Sequence, residues 1–409
     1  MLTTVFLISY SLINPAMGWA GDRFRRTWLI GFGVGLWSLA TVASAYAKSY
    51  NQLLACRALL GIGEATYGVI APTILLDLFS RERRSSMMSA FYLAMPLGSA
   101  IGLGLGATIA KRYGWQAAFL VVGTPGLVAA LLAFILPEPV RGATEKVSVD
   151  KLKSQEKLGP SRADFLDLSV NSSYTYNVFG QAAYVFAIGG LLVWIPYFLS
   201  GTRGIDQETA SWTLGIVTFF AAISGMMIGG TLADRLAKTD SRFLFIVPGI
   251  AMILAVPATL VALFAHQPWA IYAGMFFAEA FMFVNVGPCM AIHANVVAPN
   301  MRATALAIAI LLMHLLGDIW SPSLVGWVAD YCGQPDTMAT GFGRFLTSIG
   351  AVATPGEPGQ PPQNLLAGLL VTVPAILISG IVFLAGARHL PREMALMVAK
   401  LKASPSVME

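Results

Sequence analysis

The chain has 409 residues, 56% of them hydrophobic and only 11% charged, with a mean hydropathy of +0.69. Soluble domains run at about 25% charged residues, so an ordinary soluble protein is excluded and the composition points to an all-α polytopic membrane protein. The net charge of +5 implies no nucleic-acid partner, because Lys and Arg gather at the ends of apolar runs instead of forming a patch on a folded face.

Apolar runs occupy residues 2–20, 28–47, 51–79, 85–110 and 116–136, then 174–200, 207–232, 242–265, 268–297, 301–330 and 364–388. Met1 leads straight into the first run with no basic leader, so that run reads as a mature span. Five spans and six spans flank a polar stretch. The expected organisation is an N-terminal bundle over 1–136, a cytoplasmic linker over 137–173 with a short surface helix near 161–168, a C-terminal bundle over 174–392 and a tail over 393–409. Placing the linker in the cytoplasm puts 20 of the 26 Lys and Arg on its side of the membrane, five on the other, and Arg57 within it.

The first span ends in Gly18, Gly21, Asp22, Arg23, Arg25 and Arg26. Gly230, Asp234, Arg235 and Lys238 repeat the pattern 212 residues later, and Arg81–Ser85 is echoed by Asn300–Thr304. Acidic residues contribute little to membrane orientation, so a matching Asp in both turns calls for another role. Asp22 can accept from a neighbouring helix N-terminus or arginine, which makes Asp22, Arg23, Arg26, Arg84, Asp234 and Arg235 candidates for a conformational latch. Repeats in one orientation imply two pseudo-symmetric bundles with cargo between them near the midplane.

The run 51–79 carries Arg57 and Glu64 well inside the crossing, where charges are expensive. Seven residues apart, they lie two turns along one helix face, able to share a ligand. Arg57 would anchor an anionic group, Glu64 would change protonation, and Tyr67 lies one turn further on. Gly61, Gly63 and Gly68 keep the surface around them bare for a helix or ligand. Pro72 and Pro288 stand as matching breakers beyond Glu64 and Glu279. Pro96, Gly98, Gly102, Gly104 and Gly106 promise a bend and close helix packing. In the second half Glu279 and Asp318 rank first, with His293 and His314; His314 and Asp318, four apart, share a face and could pair. Trp194, Tyr197 and Phe198 read as an interfacial aromatic belt. The Gly- and Pro-rich segment 331–363 reads as a mobile outer loop.

Cys56, Cys289 and Cys332 are too few and scattered for a disulfide framework or metal site, so no metal or other cofactor is expected. No nucleotide-binding loop is visible, and the four His are dispersed, unlike the clusters of a membrane-embedded enzyme.

The Gly-x-x-Gly-Asp-Arg turn, the Arg57-x-x-x-Gly61-x-Gly63 run and the paired bundles resemble the major facilitator superfamily. Residues 56–67, 71–73 and 91–99 resemble its spinster branch more narrowly. That resemblance implies a twelve-helix, six-plus-six fold working by alternating access. This chain would supply about 11 helices, starting in what corresponds to the second, so the helix expected to face Glu64 with an Asp-Arg pair would be lacking. The implied function is secondary active transport, without enzymatic activity, of a lysolipid or sphingoid-phosphate-like amphiphilic anion. Proton coupling through Glu64 would drive it, in a monomer surrounded by membrane lipids of a bacterial inner (plasma) membrane. Small organic anions or sugar acids are the alternative cargo; a lipid-modifying enzyme or a non-transporting receptor would be different in kind.

Overall fold

The computed structural model describes residues 2–142, 144, 162–354 and 362–403. Residues 143 and 145–161 of the linker, residues 355–361 and the end of the tail therefore lie outside the described residues. The elements are α1 (Leu2–Arg23), α2 (Arg26–Ser44), α3 (Tyr50–Leu78), α4 (Arg84–Tyr92), α5 (Ala94–Tyr113), α6 (Trp115–Ile135) and α7 (Arg162–Val170). They continue with α8 (Ser172–Arg203), α9 (Gln207–Ala237), α10 (Phe243–Phe264), α11 (Pro268–Phe283), α12 (Val286–Val296) and α13 (Arg302–Leu316). The last are α14 (Ser321–Gly333), α15 (Pro335–Ala339), α16 (Gly341–Ser348), α17 (Leu365–Leu370), α18 (Thr372–Gly386) and α19 (Leu390–Ala403).

Among the described residues nine helical stretches are long and apolar enough to cross a membrane. Helix α1 and the α4–α5 pair occupy the other two apolar runs. The protein is an all-α, integral, multi-pass membrane protein, and α7 sits where a surface helix was expected.

The chain forms two compact units: one holds residues 1–175, 290–311 and 389–409, the other 176–289 and 312–388. The ends of α12 and α13 thus pack with the N-terminal helices, although their sequence belongs to the second half. In the first unit α3 packs against α1 and α2, and α2 against α6. Close approach explains the glycines: a Cβ on Gly61 would meet Phe6 and Ser9 of α1, and one on Gly63 would meet Gly33 and Trp37 of α2. In the second unit α10 packs on α11 and α18, and α9 on α11.

Prolines act unequally. Pro72 leaves α3 unbroken. Pro96 removes the donor that would bond the carbonyl of Tyr92, and the helix breaks just there, between α4 and α5. Pro288 frees the carbonyl of Val284 at the break between α11 and α12, and Pro322 frees that of Asp318 between α13 and α14. Gly98 and Gly102 do not pack as expected, because among the described residues a Cβ on either would meet nothing within 4 Å; the surroundings of Gly104 and Gly106 lie outside what is described. Two of the belt aromatics turn inward: Phe198 is buried and the Trp194 indole donates to the carbonyl of Pro322 at 2.8 Å. The segment 331–363 contains α15 and α16, the latter capped by Thr340, and a bridge pairing Thr354 with Gln363.

Candidate functional site

Helix α3 starts at Ser49, whose hydroxyl accepts from the Gln52 N–H at 3.3 Å, and runs 29 residues without interruption. It carries Arg57, Glu64 and Tyr67, all half-buried. The Arg57 guanidinium lies 5.8 Å from the centre of the Phe119 ring of α6, and its Nε is buried without a hydrogen-bond partner. Such a cation–π contact contributes about 0.5–2 kcal/mol, less than a carboxylate or phosphate partner would give a cation at this depth. Among the described residues no hydrogen bond or ion pair holds the Glu64 carboxyl. Gly61 and Gly68, on the same face, receive Ser9 and Tyr10 of α1.

Tyr67 stacks edge-on with Trp37, centroids 5.3 Å apart, and lies 5.9 Å from Phe91. With Phe91, Ile30, Ile74 and Leu136 it lines an apolar pocket of about 470 Å³ between α2, α3 and α6. Arg57 and Glu64 are not part of that lining; ten residues separate Arg57 from Tyr67, about 15 Å along the helix.

The turn after α1 joins a buried polar network. The two Asp22 oxygens accept from the backbone N–H groups of Ala303 and Thr304, at 3.1 and 2.7 Å, and so cap the first turn of α13. Gly18 makes this possible, since a Cβ there would stand 2.6 Å from that of Ala307. Arg26 meets Asp77 at 2.6 Å and Glu138 at 2.7 Å, while Arg302 reaches the other Asp77 oxygen at 3.0 Å. Glu138 also accepts from the Thr27 N–H at 3.1 Å, capping α2. Gly142, at φ +69°, turns its N–H onto Asp77 at 2.8 Å. Arg141 donates to the carbonyls of Asp22 and Phe24, and Arg84 to Asn295 Oδ1 at 2.7 Å.

Of the latch candidates, Asp22, Arg26 and Arg84 enter this network. Arg23 does not; it is exposed and stacks on Trp19 at 4.9 Å. In the second unit Asp234 is buried and Arg235 beside it exposed. Asp77, Glu138, Arg141 and Arg302 were not singled out from the sequence. The available signal was an acidic residue at the linker end of α3 facing basic turns in both halves.

His314 and Asp318 pair as their spacing allows, Nδ1 lying 2.9 and 3.0 Å from the two carboxylate oxygens. They sit at the break after α13, where Gly189 of α8 lets Asp318 and Ser321 approach. Glu279 is buried in the second unit, away from this pair in the chain and on another helix.

The sequence matches the Major Facilitator Superfamily over residues 1–322. It is 33% identical over 340 residues to Protein spinster of Drosophila melanogaster, covering 81% of this chain and 55% of that one. Against Protein spinster homolog 1 of Homo sapiens it is 34% identical, covering 81% and 65%. Against Protein spinster homolog 3 of Danio rerio it is 32% identical, covering 82% and 70%. The chain thus spans between about half and two thirds of the length of most of these relatives. In fold it is similar to a bacterial homologue of the human lysosomal transporter Spinster (TM-score 0.61, 19% identity, 95% and 88% covered) and to a proton:xylose symporter (TM-score 0.65, 15% identity, 96% and 85% covered). Basic turns, a charged central helix and these matches agree, and the chain belongs to the spinster branch of the major facilitator superfamily.

Proposed function

We propose that the protein is a secondary active transporter, not an enzyme, that works by alternating access on an amphiphilic anionic lipid such as a lysophospholipid or a sphingoid phosphate. One observation carries the proposal. Arg57 and Glu64 share a face of α3 within the membrane, half-buried, with no ion-pair partner for either among the described residues. Charges in such a place cost about 2.5–3.5 kcal/mol each, and a passing anionic headgroup would offset the cost for Arg57. Glu64 takes up and releases the coupling proton. The apolar pocket beside Tyr67 supports a cargo with an acyl chain over a sugar.

In the cycle, two bundles over residues 1–136 and 174–392 rock about the cargo, and the network of Asp22, Arg26, Asp77, Arg84 and Arg302 is the latch. While Asp22 caps α13 the linker-side ends stay joined; release of that cap opens them. Asp234 and Arg235 act at the equivalent turn of the second half. The protein works as a monomer among the lipids of a bacterial plasma membrane. Purified protein in proteoliposomes tests the reading: a labelled lysophospholipid should exchange across the bilayer, and Arg57→Ala should slow the exchange at sub-saturating lipid. Uptake of a hydrophilic carboxylate with no response to any lysolipid would overturn the lipid assignment.

A further inference from the structure

Glu279 is the carboxyl that the scheme above uses least and the structure isolates most. It is 3% exposed, and neither oxygen has a hydrogen-bond partner among the described residues. The Thr218 hydroxyl of α9 lies beside it, and that oxygen too is buried without a hydrogen-bond partner among the described residues. Tyr184 of α8 lies near both Glu279 and Cys289. Gly225 and Gly229 of α9 bring its backbone against Ala280, the residue after Glu279, and against the Val284 carbonyl that Pro288 leaves free.

No Lys, Arg or His pairs with Glu279 among the described residues. Tyr184 and Cys289 are uncharged near neutral pH. Helix α10, packed on α11, carries no titratable residue, and the charged positions of α9, Glu208, Asp234 and Arg235, stand ten or more residues from Thr218, about 15 Å or further. An ionised carboxylate here would be an uncompensated charge in a water-excluded place, whereas the neutral acid can donate its proton to the Thr218 oxygen.

We infer that Glu279 and Thr218 form a proton-binding site in the second unit, with the carboxyl held as the neutral acid. A part for this proton in the transport cycle rests on the transporter reading; its presence does not. Infrared spectroscopy of the full chain in bilayers at neutral pH tests it. The protonated-carboxyl C=O band should be lost in Glu279→Gln, persist at this position in Glu64→Gln, and shift in Thr218→Val, which removes only the acceptor. An unchanged band in Glu279→Gln, no shift in Thr218→Val, or disappearance of the band when choline is replaced by sodium would overturn the inference. A protein that keeps the band but moves no lipid would leave the proton site standing and count against the transporter reading alone.

Discussion

The proposed headgroup contact rests on one side chain, Arg57. Its contact with Phe119 holds the guanidinium in an aromatic setting but leaves Nε unbonded, so a phosphate would add charge-assisted hydrogen bonds of about 1.5–3 kcal/mol. Arg57→Ala should therefore weaken lysophospholipid binding roughly 10- to 100-fold in isothermal titration. Arg57→Lys should recover only part of the loss, because an ammonium cannot bind a phosphate in fork geometry. Glu64 should behave differently. Glu64→Gln keeps the size and removes the exchangeable charge, so lysolipid binding should survive while uptake driven by a pH gradient is lost in proteoliposomes. Gradient-driven uptake at the native rate would remove Glu64 from proton coupling.

Among elements, the joint between α1 and α13 combines one helix cap with one close packing. Asp22→Ala deletes the cap and should cost about 0.5–2 kcal/mol, whereas Gly18→Leu would force a large side chain against Ala303 and Ala307 and should cost about 1–3 kcal/mol. Asp77 is more exacting, because it lies between two buried arginines. Asp77→Ala removes the carboxylate that the two share, leaving Arg26 with Glu138, and should cost about 3–5 kcal/mol in thermal unfolding, with Asp77→Asn intermediate. Among the helix breaks, that at Val284–Asn285 has a nearby proline and a receiving glycine on α9.

For the whole molecule, the proposed alternating access would have the α1–α13 joint open in every cycle. Cysteines at Gly21 and Ala303, whose Cβ positions lie 3.1 Å apart and so need a shift of a few tenths of an ångström to reach disulfide spacing, should cross-link on oxidation in a background lacking Cys56, Cys289 and Cys332. The cross-link should stop lipid exchange until a reductant is added. Undiminished exchange by the cross-linked protein would mean that the joint is static.

What the sequence by itself determined is whatever depends on order along one helix. Hydropathy and span length gave the membrane class and the helices, because lipid forces every backbone polar group into local hydrogen bonds. The 3.6-residue turn likewise put Arg57 with Glu64 and His314 with Asp318. Only the tertiary structure decided which turns meet. Asp22 and Thr304 are 282 residues apart, and no local rule distinguishes Arg26, held by Asp77, from Arg23, three residues earlier and stacked on Trp19. Nor does spacing along the chain reveal that Asp77 receives arginines from both halves, or that Thr218 lies beside Glu279. Polar groups buried at helix crossings take their partners from whatever the packing brings to them, and that is a property of the folded chain.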